Sequence, residues 1–156
     1  MINNIAPHLT NENIYLFANW GVLPFWLLLI FAPNSTFSKV FVHSIIAPLF
    51  LSIAYIFVSY KIYIEGNIFE GFNLYYGLEN LYSVYSDESF LLIFWLHFLS
   101  ISLFIGAWIA RDAKRFMMPN ILTIFCLIMT YFMGPIGLLI YWFIRIFFAK
   151  KISFND

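Results

Sequence analysis

Charge is what this chain has least of. Only 10% of its 156 residues are Asp, Glu, Lys or Arg, against about 25% in an ordinary soluble domain. So few charges cannot cover a water-facing surface, which excludes a soluble globule. The charges balance, eight basic against eight acidic, so no basic footprint for nucleic acid exists. Cysteine occurs once, as Cys126. An internal disulfide is therefore excluded, and a thiol in the middle of an apolar run reads as a small packing residue. The segment Met1–Asn13 holds no Lys or Arg. The basic start of a signal peptide is missing, and the first apolar run is expected to stay in the protein. The three histidines, His8, His43 and His97, form no HxxxH or HxxHH pattern, which argues against a membrane di-iron oxygenase of the multi-His-box kind. No phosphate loop, CxxC, nucleophile elbow or zincin motif occurs.

What is present in excess is apolar and aromatic. Hydrophobic residues make up 63% and aromatics 22%, and the mean hydropathy is +0.86. A span needs roughly 20 apolar residues to cross a hydrocarbon core about 30 Å thick. Four stretches meet or approach that: Ile14–Pro33, Val40–Tyr60, Phe90–Ala110 and Ile121–Ala149. The expected fold is an all-α integral membrane protein, a four-helix transmembrane bundle forming a single domain over residues 1–156, with the lipid bilayer as its solvent. Tyr15, Trp20, Tyr60, Tyr63, Tyr75, Tyr76, Tyr82 and Tyr85 suit the headgroup level. The 20 Phe fit lipid-facing bulk, and they would also suit the lining of a cavity for a long apolar ligand.

Within the spans, polar residues fall on stripes. The second carries Ser44, Pro48, Ser52, Tyr55 and Ser59 on one helical face, which should point at other helices rather than at lipid. Residues 61–89 form the one substantial polar connection, with Glu65, Glu70, Glu79, Asp87 and Glu88 against Lys61 alone. Its piece Leu78–Tyr85 reads as a short helix lying in the interface. At nearly 30 residues the connection suits a lid or mouth.

The last stretch carries Thr123, Cys126, Thr130, Gly134, Gly137, Tyr141 and Arg145 at spacings of three and four. Small residues let a neighbouring backbone approach closely, and they also suit a homo-oligomer. Because this stripe keeps phase across Gly134-Pro135, one long helix kinked there is expected in preference to a re-entrant hairpin. With four spans, Lys and Arg divide four against four between the two sides, and orientation is undetermined. A hairpin would make the division seven to one.

Ionisable groups inside a membrane are costly and point to function. His97, beside Trp95, reads as a ligand or proton-transfer group facing the bundle interior, or as a polar pin between helices. His43 belongs nearer the opposite face. Asp112 ends the third span, where a carboxylate opposes the helix dipole and calls for a partner. Arg145 is a candidate for that partner, or it snorkels to the interface.

Ordered strings along the chain are also familiar. Leu16-Phe17-Ala18-Asn19 and Leu23-Pro24-Phe25-Trp26 open it, and Gly77-Leu78-Glu79-Asn80-Leu81-Tyr82 lies in the connection. Trp95-Leu96-His97-Phe98-Leu99, Arg111-Asp112-Ala113 and Gly134-Pro135-Ile136-Gly137 follow. In this order they resemble the abscisic-acid-deficient-four family of plant and bacterial membrane proteins, across nearly the whole chain. The chain departs from that family's pattern at Ser102 and Ala107, where the pattern has Asp and Arg.

The resemblance implies a carotenoid substrate and isomerase-type chemistry of the neoxanthin synthase kind, in which an epoxide opens without redox change. On that basis His97, Asp112 and Glu79 are the candidate catalytic residues. Asn19, Trp95, Ser52, Tyr55, Thr130 and Tyr141 are candidate substrate contacts. Isomerisation needs no cofactor. An alternative is oxygen-dependent cleavage, for example of β-carotene to retinal, which would require Fe(II) with His43 and His97 among its ligands. A third is a carotenoid- or retinal-binding module without catalysis. The AT-rich residue usage points to a bacterial inner membrane.

Overall fold

The structure is a computed structural model that describes residues 10–33, 35–42, 46–65 and 68–150. His8 and His43 lie outside the described residues. Among those described there is no strand, and six α-helices account for most of the chain: α1 Asn11–Phe31, α2 Ile46–Ile64, α3 Leu78–Tyr85, α4 Glu88–Arg115, α5 Asn120–Met133 and α6 Pro135–Ala149. Three of them, α1, α2 and α4, are long and apolar enough to cross a membrane. A π-helical turn, Ser38–Val42, precedes α2, and a 3₁₀ segment, Ile68–Tyr76, precedes α3. The interfacial helix expected at Leu78–Tyr85 forms over those same residues.

Local chemistry sets the helix starts. Thr10 accepts a hydrogen bond from the Asn13 backbone N–H at 3.2 Å and opens α1. Asp87 accepts from the backbone N–H groups of Ser89 and Phe90 at 2.9 and 3.1 Å, the arrangement of an N-cap. Glu88 at the start of α4 and Lys114 and Arg115 at its end complement the helix dipole.

The chain divides into two compact units, residues 1–21 with 49–100, and residues 22–48 with 101–156. In the first, the start of α1, the end of α2 and the start of α4 are tied together. Lys61 donates to the Asn11 side-chain oxygen at 3.0 Å, and the Asn11 amide donates to Ser89 Oγ at 3.0 Å. In the second, Gly106 of α4 lies under the Trp26 indole of α1, where an added Cβ would meet the ring at 2.7 Å.

The expectation of one long helix kinked at Gly134-Pro135 is corrected. Gly134 has φ 42° and ψ −91°, a left-handed conformation that favours glycine, and Pro135 starts a new helix. The backbone reverses there. In a continuous helix residues seven apart are separated by about 10 Å along the axis, yet a Cβ on Gly137 would fall on the backbone N and Cα of Thr130. Helices α5 and α6 are therefore the two arms of a tight hairpin. Its arms, 14 and 15 residues long, reach only about 21–23 Å, short of a bilayer core about 30 Å thick. A fourth span is not confirmed.

The stripe kept its phase for a different reason than continuity. Each arm turns its small residues toward the other, and Cys126, Thr130, Gly137 and Tyr141 are all buried. Replacing Gly137 by alanine is expected to push the arms apart at a cost of about 1–3 kcal/mol. The fall in thermal midpoint of the purified protein in detergent measures it.

Candidate functional site

Two arrangements bring chemistry-bearing side chains together, one in each unit. The first is a cleft of about 460 Å³ between α2 and α4, beneath the 3₁₀ segment and α3. Helical spacing builds its walls. Tyr55, Ser59 and Ile62 come from one face of α2, and Phe90, Ile93, Phe94 and His97 from one face of α4. The roof is Gly71, Phe72, Leu74, Tyr75 and Tyr85.

Gly71 packs closely against Phe90. An added Cβ would stand 3.1 Å from the Phe90 ring, so the roof lies directly on the start of α4. Tyr85 and Phe94 pack with centroids 5.2 Å apart. The Tyr55 and His97 rings are 6.4 Å apart and tilted by 53°. The Ser59 hydroxyl donates to the Tyr55 carbonyl at 2.9 Å.

His97, read from the sequence as facing the bundle interior or as a polar pin between helices, forms part of the wall of this open cleft between α2 and α4 and is exposed. Chemically, the cleft offers one imidazole, three phenol hydroxyls and one serine hydroxyl on an otherwise aromatic and aliphatic surface. Among the described residues no carboxylate lines it.

The second arrangement is a buried polar cluster at the end of α4. Asp112 Oδ2 accepts from the Tyr141 hydroxyl and from Arg145 Nε, each at 2.6 Å. The Trp108 ring stands edge-on to Tyr141, with centroids 5.4 Å apart. The Arg145 guanidinium lies 4.8 Å from the Phe116 ring centroid. Arg145 is thus the partner that Asp112 was expected to need. The cluster fastens α6 to α4, and both acceptor interactions use the same carboxylate oxygen.

The other candidate residues are placed as follows. Glu79 is exposed on α3 and is not part of the cleft wall. Asp112 belongs to the other unit from His97. Asn19 and Trp95 satisfy each other, the indole N–H donating to Asn19 Oδ1 at 2.9 Å, and so join α1 to α4. Trp95 also lines a second cleft of about 480 Å³ with Asn11, Glu12, Tyr15 and Glu88. Ser52 is half-buried on α2, and Thr130 donates to the Cys126 carbonyl at 2.8 Å inside the hairpin. Tyr141 is part of the Asp112 cluster.

Sequence reasoning missed Phe90, Ile93, Phe94, Gly71, Phe72, Tyr75 and Tyr85 as cleft walls. The signal for the first three was available, since positions 90, 93, 94 and 97 share one helical face. Among the described residues no three His, Cys, Asp or Glu side chains gather, and His97 is the only described histidine.

No curated protein and no solved structure matches the chain. A family model does, the one described as ABA DEFICIENT 4-like, over residues 13–141. With three membrane-length apolar helices and a match covering most of its length, the chain is an integral membrane protein of the ABA DEFICIENT 4-like family.

Proposed function

We propose that this protein converts a carotenoid within the bilayer by isomerase-type acid–base chemistry, with the cleft around His97 as its site. One observation carries the reading: an aromatic-walled cleft of about 460 Å³ with the His97 imidazole in its wall. Its volume is in the range of small-molecule sites, roughly 300–1,000 Å³. Its walls suit a polyene, and its hydroxyls suit the oxygen of an end group. An isomerisation removes a proton at one atom and delivers one at another, so composition and oxidation state are unchanged. His97 can perform either transfer, and the hydroxyls of Tyr55, Tyr75 and Tyr85 can orient the end group. Family membership supports the substrate class, and residue usage supports a bacterial inner membrane as its seat.

The test is pigment chemistry. The protein is expressed in cells that accumulate β-carotene, and in cells that accumulate its hydroxylated, epoxidised derivatives. A new carotenoid of unchanged mass in either strain is the expected result. Retinal would replace this reading with oxygen-dependent cleavage, and metal analysis of the purified protein would then be expected to find iron. Unchanged pigment that co-purifies with the protein would replace it with binding alone.

A further inference from the structure

The hairpin at Gly134 decides which side of the membrane the cleft serves. Helices α1, α2 and α4 each cross, so successive connections alternate sides. The start of α1, the end of α2 and the start of α4 share one end, as the Asn11, Lys61 and Ser89 hydrogen bonds show. By that alternation the α1–α2 connection and the described chain that leaves α4 fall on the other side of the membrane. Helices α5 and α6 do not carry the chain across again, because they fold back on each other and α6 returns to α4 near its C-terminus through Arg145 and Asp112. The start of α5 is at that end too: Asn120 and Thr123 share a small cavity with Pro33 and Lys114.

Charge then separates by side. Among the described residues, Lys39, Arg111, Lys114, Arg115, Arg145 and Lys150 fall on the side of the α4 C-terminus, and Lys61 alone on the other. Arg145 is neutralised by Asp112, and leaving it aside does not alter the imbalance. Acidic residues are reversed: Glu12, Glu65, Glu70, Glu79, Asp87 and Glu88 all fall with Lys61. An excess of Lys and Arg in short connections marks the cytoplasmic side. All the connections concerned are short enough for that rule.

We infer that the basic end is cytoplasmic and that the His97 cleft is served from the opposite leaflet and the opposite aqueous phase. Its roof, the 3₁₀ segment with α3, belongs entirely to the non-cytoplasmic connection. Phe69, Tyr75, Tyr76, Leu78 and Tyr82 are each at least three-quarters exposed there, the aromatic character of a segment at the headgroup level. The ligand is accordingly a lipid-soluble molecule of the non-cytoplasmic leaflet, and soluble cytoplasmic nucleotide cofactors have no route to the cleft. Protons that His97 exchanges come from the non-cytoplasmic phase. This topology stands apart from the carotenoid reading and can fail without it.

Single-cysteine labelling tests it in the full chain. Ser86, Asn120 and Lys150 are all exposed, and each is changed to cysteine in a Cys126→Ser background. Should that background not fold, the native chain replaces it, because Cys126 is fully buried. Spheroplasts are treated with a membrane-impermeant maleimide before and after permeabilisation. Ser86→Cys is expected to label fully without permeabilisation. Asn120→Cys and Lys150→Cys are expected to change together from unlabelled to labelled on permeabilisation. Labelling of Asn120→Cys and Lys150→Cys from opposite sides would overturn the hairpin topology. Labelling of both from outside, with Ser86→Cys protected, would overturn the orientation.

Discussion

Replacing His97 by alanine is expected to lower carotenoid turnover by about 10²–10⁴-fold, the usual contribution of a positioned general acid–base group, while the protein still inserts and purifies. Two observations support both halves of that expectation. Among the described residues His97 is the only ionisable group other than tyrosine on the cleft wall, so no described carboxylate there can take over its proton. It is also exposed, and its ring contact is with Tyr55 at 6.4 Å between centroids, so its removal opens no buried cavity and orphans no buried hydrogen bond. Pigment analysis with protein quantified by blot separates the two effects. Turnover equal to wild type would remove His97 from the chemistry.

Replacing Asp112 by alanine is expected to act on stability instead. Arg145 is 3% exposed, and Asp112 is its carboxylate partner at 2.6 Å. Removing one member of a buried ion pair costs about 3–5 kcal/mol, because the remaining charge stays buried without its counter-ion. The Tyr141 hydroxyl, fully buried, loses its acceptor in the same step. The expected result is a large fall in the thermal midpoint in detergent and loss of most protein from the membrane fraction. Substituting both partners with apolar residues, Asp112→Leu with Arg145→Met, should recover most of the loss, since such a swap is often neutral. A single variant as stable as wild type would show that the cluster does not hold α6 to α4.

The contrast between these two residues shows what a sequence can and cannot disclose here. Long apolar runs made α1, α2 and α4 legible, since length and hydropathy follow directly from bilayer thickness. The short helix Leu78–Tyr85 was legible from its own amphipathic spacing. The hairpin was not, because a stripe of small residues has the same period whether it faces another helix or the returning arm of its own chain. Thr130 and Gly137 are seven apart, which in one helix means the same face and in a hairpin means direct contact. The charge count carried the missing signal: seven basic residues against one is an ordinary membrane protein, and four against four is not.

At the site, the functional weight of His97 was visible from its cost in a membrane, but its neighbours were not. Tyr85, Gly71 and Tyr75 reach the cleft only because the connection folds back over α4. No local periodicity encodes that. Asp112 stood out for opposing its helix dipole, which correctly signalled a partner. That partner is Arg145, so the signal marked a fastening as readily as a catalyst.

The most direct measurement fills the cleft and leaves its imidazole in place. Ser59 lines the cleft on α2, whereas Phe50 is exposed on the same helix and does not. Ser59→Trp and Phe50→Trp are compared with wild type in carotenoid-producing cells, scoring pigment product per amount of inserted protein. Loss of product with Ser59→Trp and wild-type product with Phe50→Trp is the predicted outcome. Undiminished product from Ser59→Trp would mean that the substrate is handled somewhere other than this cleft.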